Sequence, residues 1–316
     1  MHGPPHISKG AIMTFAVAHP DTAALVLPSA LLLALLGIVS LQTGVLKLPV
    51  VAERGFAPIT VTIQPRDYAF RATGEFVQGT ASVDGPLIQV SDPAPLDVMK
   101  FQVTAEEYAR CVTDGACKKA EPRRVGSVGV PVTGVSFDDA TDYSEWLSAK
   151  TGQTWRLPTV AEWTFAAGSK ARDHALDVKT DAGDPAQRWL AYYEREAKLG
   201  AGVLATPSPT GSFGENEYGV ADLSETVWEW TATCGGRTTL GASGETLKHL
   251  DSCGVRLLEG RHRTPMSAFV KDAQGGGCTI GAPPDNLGFR LVREREWWRS
   301  PIDYLLGLVT PSPTSE

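Results

Sequence analysis

A chain of 316 residues with 42% hydrophobic, 21% charged and 8% aromatic content holds enough apolar material for a large core, which excludes a disordered or fibrous protein. The net charge of -7 lies almost wholly beyond residue 48, because the first 48 residues carry only Lys9, Asp21 and Lys47 as charged side chains. So acidic a body argues against nucleic acid as a partner.

From Ala23 to Leu41 no residue is charged, and at about 1.5 Å rise per residue the run just reaches across a bilayer core of about 30 Å. A buried core helix is the alternative, but an all-round apolar helix ahead of a proline-spotted spacer reads better as an inserted segment. Val39-Ser40-Leu41-Gln42 offers no small-x-small cleavage site, which favours a retained anchor. The division is an N-terminal segment over 1–22, a transmembrane helix or signal anchor over 23–46, and a linker over 47–59. One domain follows over 60–296, with a Pro-rich tail over 297–316.

Beyond a Pro-containing spacer near 49–65, the alternating runs Gly74–Gly79 and Leu87–Val90 predict strands between Gly/Pro turns. Thr104 followed by Glu107 forms a capping box, which predicts a helix ending at the loop between Cys111 and Cys117. Ser136, Asp138 and Asp139 open a second helix, with Ala140, Tyr143, Trp146 and Leu147 at helical spacing and Gly152 as its stop. Thr154–Leu157 reads as a strand, and Thr159 with Glu162 caps a short helix carrying Trp163 and Phe165. Another helix is predicted around Trp189–Lys198 within an otherwise irregular stretch. All five cysteines, Cys111, Cys117, Cys234, Cys253 and Cys278, lie beyond the apolar segment. The simplest count is two bridges and one leftover thiol, with Cys111–Cys117 and Cys234–Cys253 as the pairs; the other reading is buried free thiols.

Four strings stand in order: Pro131–Ala140, Trp155-Arg-Leu-Pro-Thr-Val-Ala-Glu-Trp163, Asn216–Trp230 ending in Val-Trp-Glu-Trp, and Asn286-Leu-Gly-Phe-Arg-Leu-Val292. Together they resemble the formylglycine-generating-enzyme (sulfatase-modifying-factor) family over about three quarters of the chain. The resemblance implies an α+β, compact, irregular C-type-lectin-like fold, here expected to follow one N-terminal transmembrane helix. Family enzymes bind copper through a cysteine pair, and soft thiolates suit Cu(I). Counted from Glu259-Gly260, those positions fall on Thr264 and Phe269, neither a thiolate. Iron-dependent sulfoxide synthases, which share the domain, need a separate ligand domain with a histidine cluster that this chain lacks. Leu258-Glu-Gly-Arg-His-Arg263, with Met266, Phe269 and Cys278, is similar to the NirV-type proteins encoded with copper nitrite reductases.

The resemblance implies a calcium site at Ser224, Glu225, Val227 and Glu229, because calcium accepts many oxygen ligands in loose geometry. The chain departs from the family in having Glu225-Thr226 where Gly-Asn is usual, and the alternative pairs Glu229 with a buried arginine such as Arg156 or Arg290. A ligand pocket is expected from Arg261, His262, Arg263, Met266 and Cys278, with His249 added if copper binds, although an ordinarily hydrogen-bonded histidine fits the same residues. Arg156 and Arg290 are expected as inward ion pairs of the core. The leading functional expectation is a membrane-anchored periplasmic accessory protein of the NirV type that assists a copper nitrite reductase. The alternatives are a formylglycine-generating-type oxidoreductase with a remodelled active site, acting on a protein cysteine or another substrate, and a lectin-like ligand-binding module.

Overall fold

The computed structural model describes residues 57–171, 206–273 and 286–295, with single positions at 190, 191, 194 and 284. Three helices are described: α1 (Ala105–Thr113), α2 (Phe137–Thr151) and α3 (Val160–Ala167). Each opens on a complete capping box, from Thr104 to Glu107, Ser136 to Asp139 and Thr159 to Glu162. In each the cap oxygen takes one orphan N–H of the first turn and the acidic side chain returns to the cap N–H. Gly152 ends α2 in the left-handed region at φ 66°, where a side chain would be strained.

Strands β1 (Thr60–Ile63), β6 (Leu96–Met99), β12 (Val292–Arg293) and β7 (Trp155–Arg156) form one sheet in the order β1-β6-β12-β7. A larger sheet runs β10 (Thr264–Ser267), β9 (Thr246–Glu259), β8 (Trp228–Leu240), β3 (Glu75–Gln78), β4 (Ala81–Val83), and β11 (Leu287–Gly288) pairs β8 in parallel. β2 (Tyr68–Arg71) and β5 (Leu87–Val90) make a separate ribbon. Two apolar clusters fill the interior. The larger collects Tyr108, Tyr143, Trp155, Trp228, Trp230 and Phe289 from helices and both large sheets, and the smaller packs Ile63, Val98, Trp163 and Phe165 behind the first sheet.

Both expected disulfides form, Cys111–Cys117 and Cys234–Cys253. Arg290 is the inward arginine, whereas Arg156 is half-buried and holds Glu162 and Glu294 at the domain surface. The spacer expected near 49–65 gives way to β1, because Thr60–Ile63 pairs antiparallel with Leu96–Met99. Of the helix expected around Trp189–Lys198, residues 190, 191 and 194 are helical and the remainder lies outside the described residues.

The membrane helix needs correction. Residues 23–46 lie outside the described residues, and among those described no helix is long and apolar enough to cross a membrane. The longest, α2, has 15 residues. At about 1.5 Å each it reaches only about three quarters of a core of about 30 Å. The α+β class stands, with no membrane-spanning helix among the described residues. Membrane contact through an N-terminal helix, and a periplasmic position derived from it, are withdrawn.

Candidate functional site

The centre of the molecule is the inner end of the β8–β9 pair, where Glu229 stands opposite Glu259 and Trp230 opposite Leu258. Directly opposed residues of an antiparallel pair project to the same face, so two buried carboxylates share one side of the sheet.

Glu229 is fully engaged. Gln102 Nε2 and Arg290 Nη2 donate to its Oε1 at 2.8 and 2.7 Å, and Trp163 Nε1 and Arg290 Nε donate to its Oε2 at 2.8 and 2.6 Å. The remaining Arg290 donors reach the carbonyls of Met99, Lys100 and Ala221. With both partners about 1% exposed, this is a desolvated pair whose lone pairs and protons are all matched, the condition under which a buried ion pair is tolerated.

This geometry answers the calcium expectation. A carboxylate offers about four acceptor positions, and in Glu229 all four face N–H donors. Ser224, at φ 61°, turns its hydroxyl to the Lys170 carbonyl. Val227 is buried in the turn and Glu225 is half-buried. Calcium does not fit this set through Glu229, and its assignment is withdrawn.

A second polar group follows β9. Gly260 lets the chain lie flat against Trp228, since a Cβ there would sit 2.7 Å from the indole ring. Trp228 Nε1 donates to the His262 carbonyl at 3.0 Å. The His262 ring, 1% exposed, meets the same indole edge-to-face at 5.3 Å, and the Arg261 guanidinium lies 4.8 Å from it. Arg263 Nε donates to Glu259 Oε1 at 2.5 Å, while its Nη1 reaches the Arg71 carbonyl. Burial pushes the Glu259 carboxyl above the ordinary carboxylate range; the Arg263 cation opposes this without cancelling it, and Glu229 across the strand adds to it.

Next comes Thr264, completely buried, whose Oγ1 has no hydrogen-bond partner among the described residues. Burial of a hydroxyl without a partner is unfavourable by about 1–3 kcal/mol. Phe269, at the other position matched to the family's cysteine pair, is 74% exposed. A hydroxyl and a phenyl ring do not replace two thiolates, so copper does not fit these two positions and no step is routed through it.

The structure brings together Arg261, His262 and Arg263 with Trp228 and Glu259. Met266 packs into the core beside Thr264 along β10, and Cys278 lies outside the described residues. His249 stays apart, bonded to Thr238 and Asp251. It is ten strand positions from Glu259, about 33 Å at the strand rise. Among the described residues no group of three or more His, Cys, Asp or Glu could hold a metal ion. Sequence reasoning missed Glu259, Gln102 and Trp163. Glu259 was visible, standing inside the Leu258–Arg263 string, whereas Gln102 and Trp163 reach Glu229 across 127 and 66 residues and carry no local signal.

A family profile, the Sulfatase-modifying factor enzyme 1-like domain, matches residues 56–295. The formylglycine-generating enzyme of Mycobacterium tuberculosis is 34% identical over 108 residues, 33% of this chain and 34% of that protein. The inactive C-alpha-formylglycine-generating enzyme 2 of Bos taurus is 35% identical over 168 residues, 51% of this chain and 50% of that protein. The chain thus spans half or less of the length of these curated relatives. A solved structure of PvdO from Pseudomonas aeruginosa is similar with a TM-score of 0.50 at 22% identity, covering 79% of this chain and 100% of that one, a likeness of fold alone. None of these findings singles out NirV-type proteins, a copper nitrite reductase partner or a lectin. The NirV-type accessory role and the lectin-like module are therefore withdrawn. With four ordered strings, an α+β fold and a profile match spanning nearly all the described residues, this chain belongs to the Sulfatase-modifying factor enzyme 1-like family.

Proposed function

We propose that this chain is a formylglycine-generating-type oxidoreductase with a remodelled active site, acting on a protein cysteine or another substrate without a copper-binding cysteine pair. The observation that supports it is the buried Thr264 hydroxyl, without a hydrogen-bond partner among the described residues, at the position matched to the first family cysteine and next in sequence to Arg263, the partner of Glu259. The stretch from Glu259 to Thr264 offers a carboxyl of raised proton affinity with its cation and, on the other face of the strands, a buried hydroxyl, in a desolvated setting where each is worth more than in water. The cations favour an anionic substrate group.

A second reading is favoured by the names of two mammalian relatives, each called inactive: a domain that holds its substrate without turnover. One experiment separates the two. The full chain is mixed in air with a Cys-x-Pro-x-Arg peptide and followed by mass spectrometry and by peptide binding. The first reading expects a mass change at the peptide cysteine that is lost in Glu259→Gln and Thr264→Val; binding of the peptide with no mass change overturns it and leaves the second.

A further inference from the structure

The two disulfides occupy opposite environments. Cys111–Cys117 closes the loop after α1 and both cysteines are buried in the main core, 0% and 8% exposed. Cys234–Cys253 ties β8 to β9 where the strand register shifts on either side of Cys234. Cys253 is exposed and Cys234 half-buried.

Beside the second bridge stands a cation. Arg256 Nη1 donates to Cys234 Sγ at 3.2 Å and to the Ala232 carbonyl at 2.7 Å, and the guanidinium lies 4.2 Å from the centre of the Phe137 ring. Its Nε is buried with no acceptor among the described residues, where Arg256 also makes no ion pair with a carboxylate. The positive charge next to Cys234 Sγ is therefore not neutralised by a described side chain. In thiol–disulfide exchange the sulfur that leaves faster is the one whose thiolate is better stabilised, and a neighbouring guanidinium stabilises it. Access selects the other sulfur for attack.

We propose that Cys234–Cys253 is an exchange site for an external dithiol, with Cys253 the attacked sulfur and Cys234 the leaving thiolate held by Arg256. A thiolate of the dithiol attacks Cys253 Sγ; the bond to Cys234 breaks and its electron pair stays on Cys234 Sγ. The second thiol of the dithiol, its proton released to solvent, then attacks the mixed disulfide and displaces Cys253. The dithiol ends as a disulfide, and Cys234 and Cys253 are reduced by its two electrons. Cys111–Cys117 is shielded from the same attack by the core around it.

Opening this bridge has a defined mechanical effect. The outer half of β8 remains held by β3 through the pairs from Arg237 to Leu240. The outer half of β9, Thr246 to Ser252, pairs with β8 alone, and the bridge is its only other tie among the described residues. The inner end of β9 is clamped by β10 from Val255 to Leu258. Reduction therefore loosens the arm and spares the end that carries Glu259.

The test is native-state reduction of the full chain with dithiothreitol, acid quench, alkylation and mass spectrometry of both bridges. Cys234–Cys253 should open at least about tenfold faster than Cys111–Cys117; Arg256→Met should slow it about tenfold and Arg256→Lys should restore most of the rate. Backbone hydrogen exchange should rise over 246–252 and not over 255–258 once the bridge is open. Equal opening of the two bridges, or an Arg256→Met rate equal to wild type, overturns the proposal. Should Arg256→Met also expose Cys111–Cys117, brief treatment of the wild type with glutathione decides instead. The adduct on Cys253 supports the assignment, and the adduct on Cys234 overturns it.

Discussion

The two carboxylates that face each other across β8 and β9 are both buried, yet they are held differently. Glu229 is satisfied by Gln102, Trp163 and Arg290, which arrive from three separate parts of the chain. Glu259 depends on Arg263, only four residues away and still partly open to solvent. The first arrangement ties distant segments together and saturates the Glu229 carboxylate. The second is local and leans on one partly exposed cation, which leaves its carboxyl with a raised proton affinity.

Substitutions can break that contrast at its strongest point first. Glu229→Ala leaves Arg290 charged, buried and unpaired, and the expected loss is about 3–5 kcal/mol, read as a lower urea midpoint. Glu259→Gln should cost only about 1 kcal/mol, because Arg263 can turn to solvent. Its clearer signature is in pH dependence. With the folded carboxyl raised above the ordinary glutamate value of 4.5, the folded state binds its proton more tightly than the unfolded chain. This contribution to stability is complete below the ordinary value and is lost as pH rises through the folded one, so Glu259→Gln should flatten stability against pH over that window. Denaturation midpoints at a series of pH values would check it, and an unchanged slope would show Glu259 fully ionised by Arg263.

Smaller effects sharpen the site further. Thr264→Val keeps the shape and removes a hydroxyl that has no described partner, so stability should stay within about 1 kcal/mol or improve. A larger loss in a thermal melt would reveal a structural hydrogen bond. Phe269→Ala, at an exposed position, should change stability by less than about 0.5 kcal/mol, while peptide affinity measured by calorimetry reports any contribution to substrate holding.

Legibility in the sequence followed the range of the interaction. Thr104, Ser136 and Thr159 announced their helices because a capping box is complete within four residues, and Gly152 announced a stop because the left-handed region suits glycine. Cys111–Cys117 was likewise a short-range closure. The long β8–β9 hairpin was not legible beyond the Cys234–Cys253 pair, since Thr246 to Gly254 is exposed throughout and shows no apolar alternation. In the site, the Leu258–Arg263 string stood out as a motif, but its division of labour did not. Arg261 lies over Trp228, which packs against the backbone at Gly260, and Arg263 pairs with the buried Glu259. The calcium expectation failed for a related reason, since the donors that saturate Glu229 are remote in sequence.

The strand order β1-β6-β12-β7 sets β12 between two strands made long before it, and Val292 pairs with Val98 on one side and Arg156 on the other. A nascent chain that has not yet extended to this segment can form its capped helices but cannot close the sheet between β6 and β7. Loop-closure entropy for these pairings must be met before their contacts form, which makes folding slow and late. During synthesis, the open flanks of β6 and β7 are unsatisfied strand edges, the surfaces by which incomplete chains associate with one another.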